Sequence, residues 1–332
     1  MSAPLAISLG DPAGIGPELI AEAWARRQAE NLPPFLCVGG AGVLREAAAS
    51  RGLDVVVQVI ERPEDAGVVF AGALPVYGHK DVAWQPGDPN AEGARLAHDS
   101  LAGATALAVD RRASGVVTAP VAKSQLASIG FAFPGQTEFV AQASQVEAAD
   151  AVMMLAGPSL RTVPVTIHCA LAEVPRLLTK DLILRRCRTT ARALREDFGI
   201  ASPSLALTGL NPHAGEDGRM GREEIDTIIP AIETLRAEGI DASGPHPADA
   251  LFAPRARETY DVAIAMYHDQ ALVPLKALDF DNGVNVTLGL PIVRTSPDHG
   301  TAFPIAGKNM AHPGAMIAAI RMAGEMAARR AG

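Results

Sequence analysis

A chain of 332 residues that is 48% hydrophobic, 20% charged and 4% aromatic buries a large core, which excludes a disordered chain and a small stapled module. Its 31 glycines and 25 prolines are too many for a helical bundle and show no collagen-like period; many strand-to-helix turns explain them. A formal net charge of −8 argues against nucleic acid or anionic lipid as a bulk electrostatic partner, so any anionic ligand must be met by a local cluster of cations.

In chain order, β-type runs alternate with helical patterns. A strand at 5–9 precedes a helix at 17–27, a strand at 35–38 precedes a helix at 42–50, and a further strand lies at 55–60. A long helix over 90–112 leads into a strand at 115–118. Strands follow at 151–155, 162–167, 204–210 and 261–266, with helices near 179–198, 222–238 and 314–330. This alternation predicts an α/β fold of parallel strands joined by crossover helices. Cys37, Cys169 and Cys187 form no CxxC pair and are odd in number, so neither a disulfide framework nor a cysteine zinc site is expected. No basic stretch precedes the first strand and no apolar run reaches bilayer length, which reads as a soluble protein of the cytoplasm with no membrane partner.

Three features carry chemistry. Gly10-Asp11-Pro12-Ala13-Gly14-Ile15-Gly16-Pro17-Glu18 is a strand-to-helix turn whose glycine spacing fits neither the dinucleotide fingerprint nor a phosphate loop. Taken locally it reads as a tight structural turn, with Pro17 suited to the first helical position and Glu18 to the positive end of the dipole. More informative are three apolar runs that each end in a histidine: His168, His213 and His268, separated by 45 and 55 residues. Carboxyl ends of strands in open α/β sheets face the ligand crevice, so these imidazoles can converge there as a His₃ metal site with an open fourth position, suited to zinc, cobalt or nickel. Each also suits a hydrogen-bonded strand-end residue, and the separations match no local zinc motif. A third region holds His268, Asp269, Gln270, Lys276, Asn285 and Arg294, where two cations and an amide can hold a phosphate or carboxylate.

Gly10–Glu18, Pro134-Gly135-Gln136-Thr137-Glu138-Phe139, Leu210-Asn211-Pro212-His213-Ala214-Gly215-Glu216, Met266-Tyr267-His268-Asp269-Gln270 and the stretch 283–300 closely resemble the 4-hydroxythreonine-4-phosphate dehydrogenase family of vitamin B6 biosynthesis. The resemblance runs over nearly the whole chain. The run His299-Gly300-Thr301-Ala302-Phe303-Pro304-Ile305-Ala306-Gly307-Lys308 also looks like the nucleotide loop of isocitrate and isopropylmalate dehydrogenases, which bind NAD(P) without a Rossmann fingerprint.

The resemblance implies two interleaved α/β lobes of isocitrate/isopropylmalate dehydrogenase type, a largely parallel sheet and an active site in the cleft between the lobes. Lobe 1 is expected from 1–130 with 270–332, and lobe 2, with the dimer contacts and most metal ligands, from 131–269. It implies one divalent metal (Zn, Co or Mg) on His168, His213 and His268, and a homodimer whose subunits share the site. Substrate contacts are implied at Gln136, Thr137, Lys276, Asn285 and Arg294, and NAD or NADP contacts at His299, Gly300, Thr301, Ala302, Ile305, Ala306 and Gly307. The implied reaction is NAD(P)-linked oxidation of 4-phosphooxy-L-threonine followed by decarboxylation to 3-amino-2-oxopropyl phosphate. Asp249 and Asp269 are candidates for the proton-accepting group, with supporting roles equally open. Relatives usually carry histidine where this chain has Gln136, which cannot become cationic. That departure leaves open threonate 4-phosphate or a terephthalate-derived cis-dihydrodiol dicarboxylate as substrate, and separately a metal- and phosphate-binding protein without turnover stays open on the same scaffold.

Overall fold

The computed structural model describes residues 3–332, and the chain divides into two compact units, 1–148 with 290–331 and 149–289. In the first unit lie β1 (Leu5–Ser8), β2 (Phe35–Val38), β3 (Val57–Ile60), β4 (Leu74–Tyr77) and β5 (Val116–Thr118). The second unit holds β6 (Val152–Ala156), β7 (Arg161–Thr166), β8 (Ser204–Thr208), β9 (Asp241–His246), β10 (Val262–Tyr267) and β11 (Val284–Leu288). The chain then returns to the first unit with β12 (Arg294–Pro297).

Within the first unit the strands run in the order β3-β4-β2-β1-β5-β12, every pair parallel. β1 is LAIS and β2 is FLCV, all buried, as expected of a parallel strand covered on both faces. Helix Ala91–Val109 starts on Asn90, whose side chain accepts from the Gly93 N–H, and buries Leu96, Leu101, Ala104 and Ala108. Ser100 on that helix donates to Val38 O at 2.6 Å and accepts from Leu9 N at 2.8 Å, tying the helix to the ends of two strands.

Within the second unit the order is β11-β6-β7-β10-β8-β9. β7, β10, β8 and β9 are parallel neighbours, whereas β11 with β6 and β6 with β7 are antiparallel. The parallel set places the carboxyl ends of β7, β10 and β8 along one edge. Helix Lys180–Glu196 is capped by the Thr179 side chain and buries Ile183, Leu184, Cys187, Ala191 and Leu194.

The borders differ from those read off the sequence at 130/131 and 269/270. Helix Gln136–Ala143 packs on helix Ala91–Val109, so it stays with the first unit. Helix His268–Asp279 lies on β7 and β10, and β11 pairs with β6, so both stay with the second. Lys276 and Asn285 therefore belong to the unit that carries the histidines, and Gln136, Thr137 and Arg294 to the other.

Candidate active site

In the second unit, β7 ends at Thr166 two residues before His168, and β10 ends at Tyr267 so that His268 opens the following helix. Because β7 and β10 are adjacent and parallel, the two imidazoles come together, with ring centroids 5.8 Å apart. Two rings at that separation can share one ion, given metal–nitrogen bonds of about 2 Å. His268 Nδ1 lies 2.7 Å from Asp269 Oδ1; with the carboxylate accepting the Nδ1 proton, Nε2 is left as the ligating nitrogen. These residues line a cavity of about 320 Å³ together with Thr166, Cys169, Leu171, Val174 and Tyr267.

His213 is placed differently. β8 ends at Thr208, and the chain runs on through Pro212 before His213 opens a left-handed turn. His213 thus lies at the same sheet edge but is not among the residues lining that cavity. Among the described residues no group of three His, Cys, Asp or Glu side chains is disposed to hold a metal ion. Two of the expected imidazole donors are brought together, and the third, His213, lies in the turn that follows β8. Asp249 is exposed in the short helix Ala248–Leu251, and only Asp269 of the two acids touches a metal-candidate histidine.

In the first unit, Arg294 is 4% exposed at the head of β12. Its Nη2 donates to Thr118 Oγ1 at 2.8 Å and its Nη1 reaches Thr137 Oγ1 at 3.4 Å. Burial pushes the guanidinium pKa down to about 10, against the opposing pull of Glu138, so it stays a cation at neutral pH. Gln136 donates from Nε2 to Ala119 O at 3.1 Å, while its buried Oε1 has no hydrogen-bond partner. Asn285 Oδ1, in the second unit, is likewise buried and without one.

The Gly10–Glu18 turn and the 299–307 loop brace one another. Ile15 N–H donates to Thr301 O at 3.0 Å, and a Cβ on Gly14 would lie 2.9 Å from that oxygen. Gly87 N–H donates to Ala13 O at 2.8 Å, and Gly307 (φ +70°) lies where a Cβ would meet Pro86 Cγ at 2.8 Å. Non-glycine residues with positive φ include His168 (51°), His213 (51°) and Ala302 (46°), a conformation costing about 1–2 kcal/mol per residue that collects at functional sites.

The model of the family "Pyridoxal phosphate biosynthetic protein PdxA" matches residues 30–323. The chain belongs to this family. It is 61% identical over 328 residues to the 4-hydroxythreonine-4-phosphate dehydrogenase of Erythrobacter litoralis, covering 99% of this chain and 98% of that one. A crystal structure of the Klebsiella pneumoniae 4-hydroxythreonine-4-phosphate dehydrogenase superposes with a TM-score of 0.86 at 36% identity, covering 98% of this chain and 100% of that one. A terephthalate 1,2-cis-dihydrodiol dehydrogenase from Burkholderia xenovorans follows at TM-score 0.65 and 30% identity, over 98% and 99% of the two chains. A PdxA-family chain is an oxidoreductase acting on a CH–OH group, so a binding protein without turnover is set aside.

Within this PdxA-family scaffold Gln270, which the sequence offers only as one of the polar groups near His268, turns out to be a clasp. Gln270 Oε1 accepts from Met266 N and Thr208 Oγ1, both at 2.7 Å, and its Nε2 donates to Gly209 O at 2.9 Å. It thereby locks the end of β10 to the end of β8. Cys169, for which the sequence supports neither a disulfide framework nor a cysteine zinc site, lines the cavity next to His168.

Proposed function

We propose that this PdxA-family chain oxidises the C3 hydroxyl of 4-phosphooxy-L-threonine, passing hydride to NAD(P)⁺ and losing the hydroxyl proton. The product, 2-amino-3-oxo-4-phosphooxybutanoate, is a β-keto acid that loses carbon dioxide to give 3-amino-2-oxopropyl phosphate. The observation that carries the reading is Arg294: a buried guanidinium beside two threonine hydroxyls supports a small anion such as the substrate phosphate as its ligand. Lys276 and Asn285, in the unit that carries the histidines, would offer a charge and an amide to a polar substrate there.

His168, His268 and His213 would hold one divalent ion, zinc, cobalt or magnesium, and Asp269 would orient His268. A bound divalent ion supplies Lewis acidity that stabilises a developing alkoxide. Asp269, exposed beside His268, is the better placed of the two acids to take the proton. The 299–307 loop, held by the Gly10–Glu18 turn, would carry the nucleotide.

Formation of reduced nicotinamide is the test. Purified protein with 4-phosphooxy-L-threonine and NAD⁺ or NADP⁺ should produce it, a chelator should abolish it, and added zinc or cobalt should restore it. Turnover of a cis-dihydrodiol dicarboxylate alone would overturn the substrate assignment, and full activity after complete metal removal would overturn the histidine site.

A further inference from the structure

The segment after β8 is held by a residue that neither the sequence nor the reaction picks out. From His213 to Asp217 the backbone runs left-handed, with φ of 51°, 52°, 82°, 43° and 53°, a conformation that residues carrying a Cβ avoid. Such a turn persists only where its surroundings over-determine it. Glu224, 2% exposed, opens the π-helical turn Glu224–Ile228 and faces this segment. Its Oε1 accepts from the N–H groups of Leu210 and Asn211, both at 2.8 Å, and its Oε2 accepts from Asn211 Nδ2 at 3.0 Å. A Cβ on Gly215 would lie 2.6 Å from Glu224 Oε2, and one on Gly209 would lie 2.8 Å from Ala214 Cα. The carboxylate is therefore packed directly against the turn, with no room for a shifted arrangement.

We propose that Glu224 is a positioning residue: by gathering the Leu210 and Asn211 donors on one buried carboxylate it fixes the left-handed turn and so the place of the His213 imidazole. A buried carboxylate is tolerable because it is hydrogen-bonded, and deleting it leaves the half-buried Leu210 and Asn211 donors without this acceptor. The turn then relaxes toward right-handed backbone and carries His213 away. This inference rests on the reading of His213 as the third metal ligand.

The experiment uses the full chain stripped of metal. Zinc affinity by chelator competition is measured for wild type, Glu224→Ala, Glu224→Gln, Gly215→Ala, His213→Ala and the double variant E224A/H213A. Hydrogen exchange over 209–221 is followed in parallel, and NAD(P) binding reports that the rest of the fold is intact. Loss of a group that orients a ligand typically costs 10- to 100-fold in metal affinity. E224A should fall in that range, with faster exchange at Leu210 and Asn211; E224Q, which keeps one acceptor oxygen, should lose less. G215A should weaken zinc with the carboxylate still present. E224A should add almost nothing in the H213A background, because it acts only through that histidine. If H213A weakens zinc while E224A does not, Glu224 is only structural and the proposal falls alone. If E224A weakens zinc equally with and without His213, its effect is general and the proposal also falls. If H213A leaves zinc affinity unchanged, the three-histidine reading fails, and the proposal with it.

Discussion

Arg294 holds a positive charge where the solvent cannot, since it is 4% exposed and pinned by Thr118 and Thr137. Lysine would keep the charge but lose the planar fork that meets two hydroxyls and an anion together. Arg294→Lys should lower kcat/KM for the phosphorylated substrate by roughly 10–100-fold, equivalent to about 1.4–2.7 kcal/mol, with zinc affinity unchanged. An unaltered kcat/KM would remove Arg294 from substrate binding. Gln136 directly precedes Thr137, which Arg294 reaches, and donates from Nε2 to Ala119 O. A charge-assisted hydrogen bond exceeds a neutral one by roughly 1 kcal/mol. Gln136→His should therefore raise kcat/KM for 4-phosphooxy-L-threonine several-fold, most clearly below about pH 6.5 where imidazole is cationic. A rise instead for a dihydrodiol dicarboxylate would reverse the assignment of this position.

Among elements, the turn at 10–18 braces the 299–307 loop proposed to carry the nucleotide. Because Gly14 leaves no space for a Cβ beside Thr301 O, Gly14→Ala should push the 299–307 loop outward. Steady-state kinetics should show KM for NAD(P)⁺ raised about tenfold while zinc affinity is retained; an unchanged nucleotide KM would separate this loop from the cofactor. Elements with a clear apolar period were legible in the sequence: the expected helices at 42–50 and 90–112 appear as Ala41–Ser50 and Ala91–Val109. Those missed have physical reasons. β12 is RTSP, fully buried yet polar, so it shows no strand pattern although Arg294 heads it. β9 is DASGPH at the sheet edge, where one-sided pairing imposes little alternation. Helix His268–Asp279 contains Pro274 and begins directly on a strand end, which hid its helical period. The histidine at each strand end was visible because a strand must stop somewhere; the left-handed detour that displaces His213 was not, since it depends on Glu224 from a later element.

For the molecule as a whole, the net charge of −8 is a background against which single buried groups set the pH response. His246 closes β9, with its carbonyl accepting from Gly209 N at 2.8 Å and its Nε2 lying 2.9 Å from Ser243 Oγ. Burial, and then the charge of Arg236, lowers its pKa below the usual 6.5. The native state therefore binds this proton more weakly than the unfolded chain does. Its contribution to stability is whole above the unfolded pKa and is lost as pH falls through that value toward the lower native one. Melting temperature should accordingly drop between about pH 7 and about pH 5, and His246→Asn, which keeps a hydrogen-bonding partner for Ser243 without a titrating ring, should flatten that drop. Because the Gly209 link joins β9 to the segment leading to His213, hydrogen exchange at 209–221 should quicken over the same range in wild type and less in the variant. A wild-type curve that rises on acidification would show that His246 is held in its charged form, and a flat one that folding leaves its proton affinity unchanged.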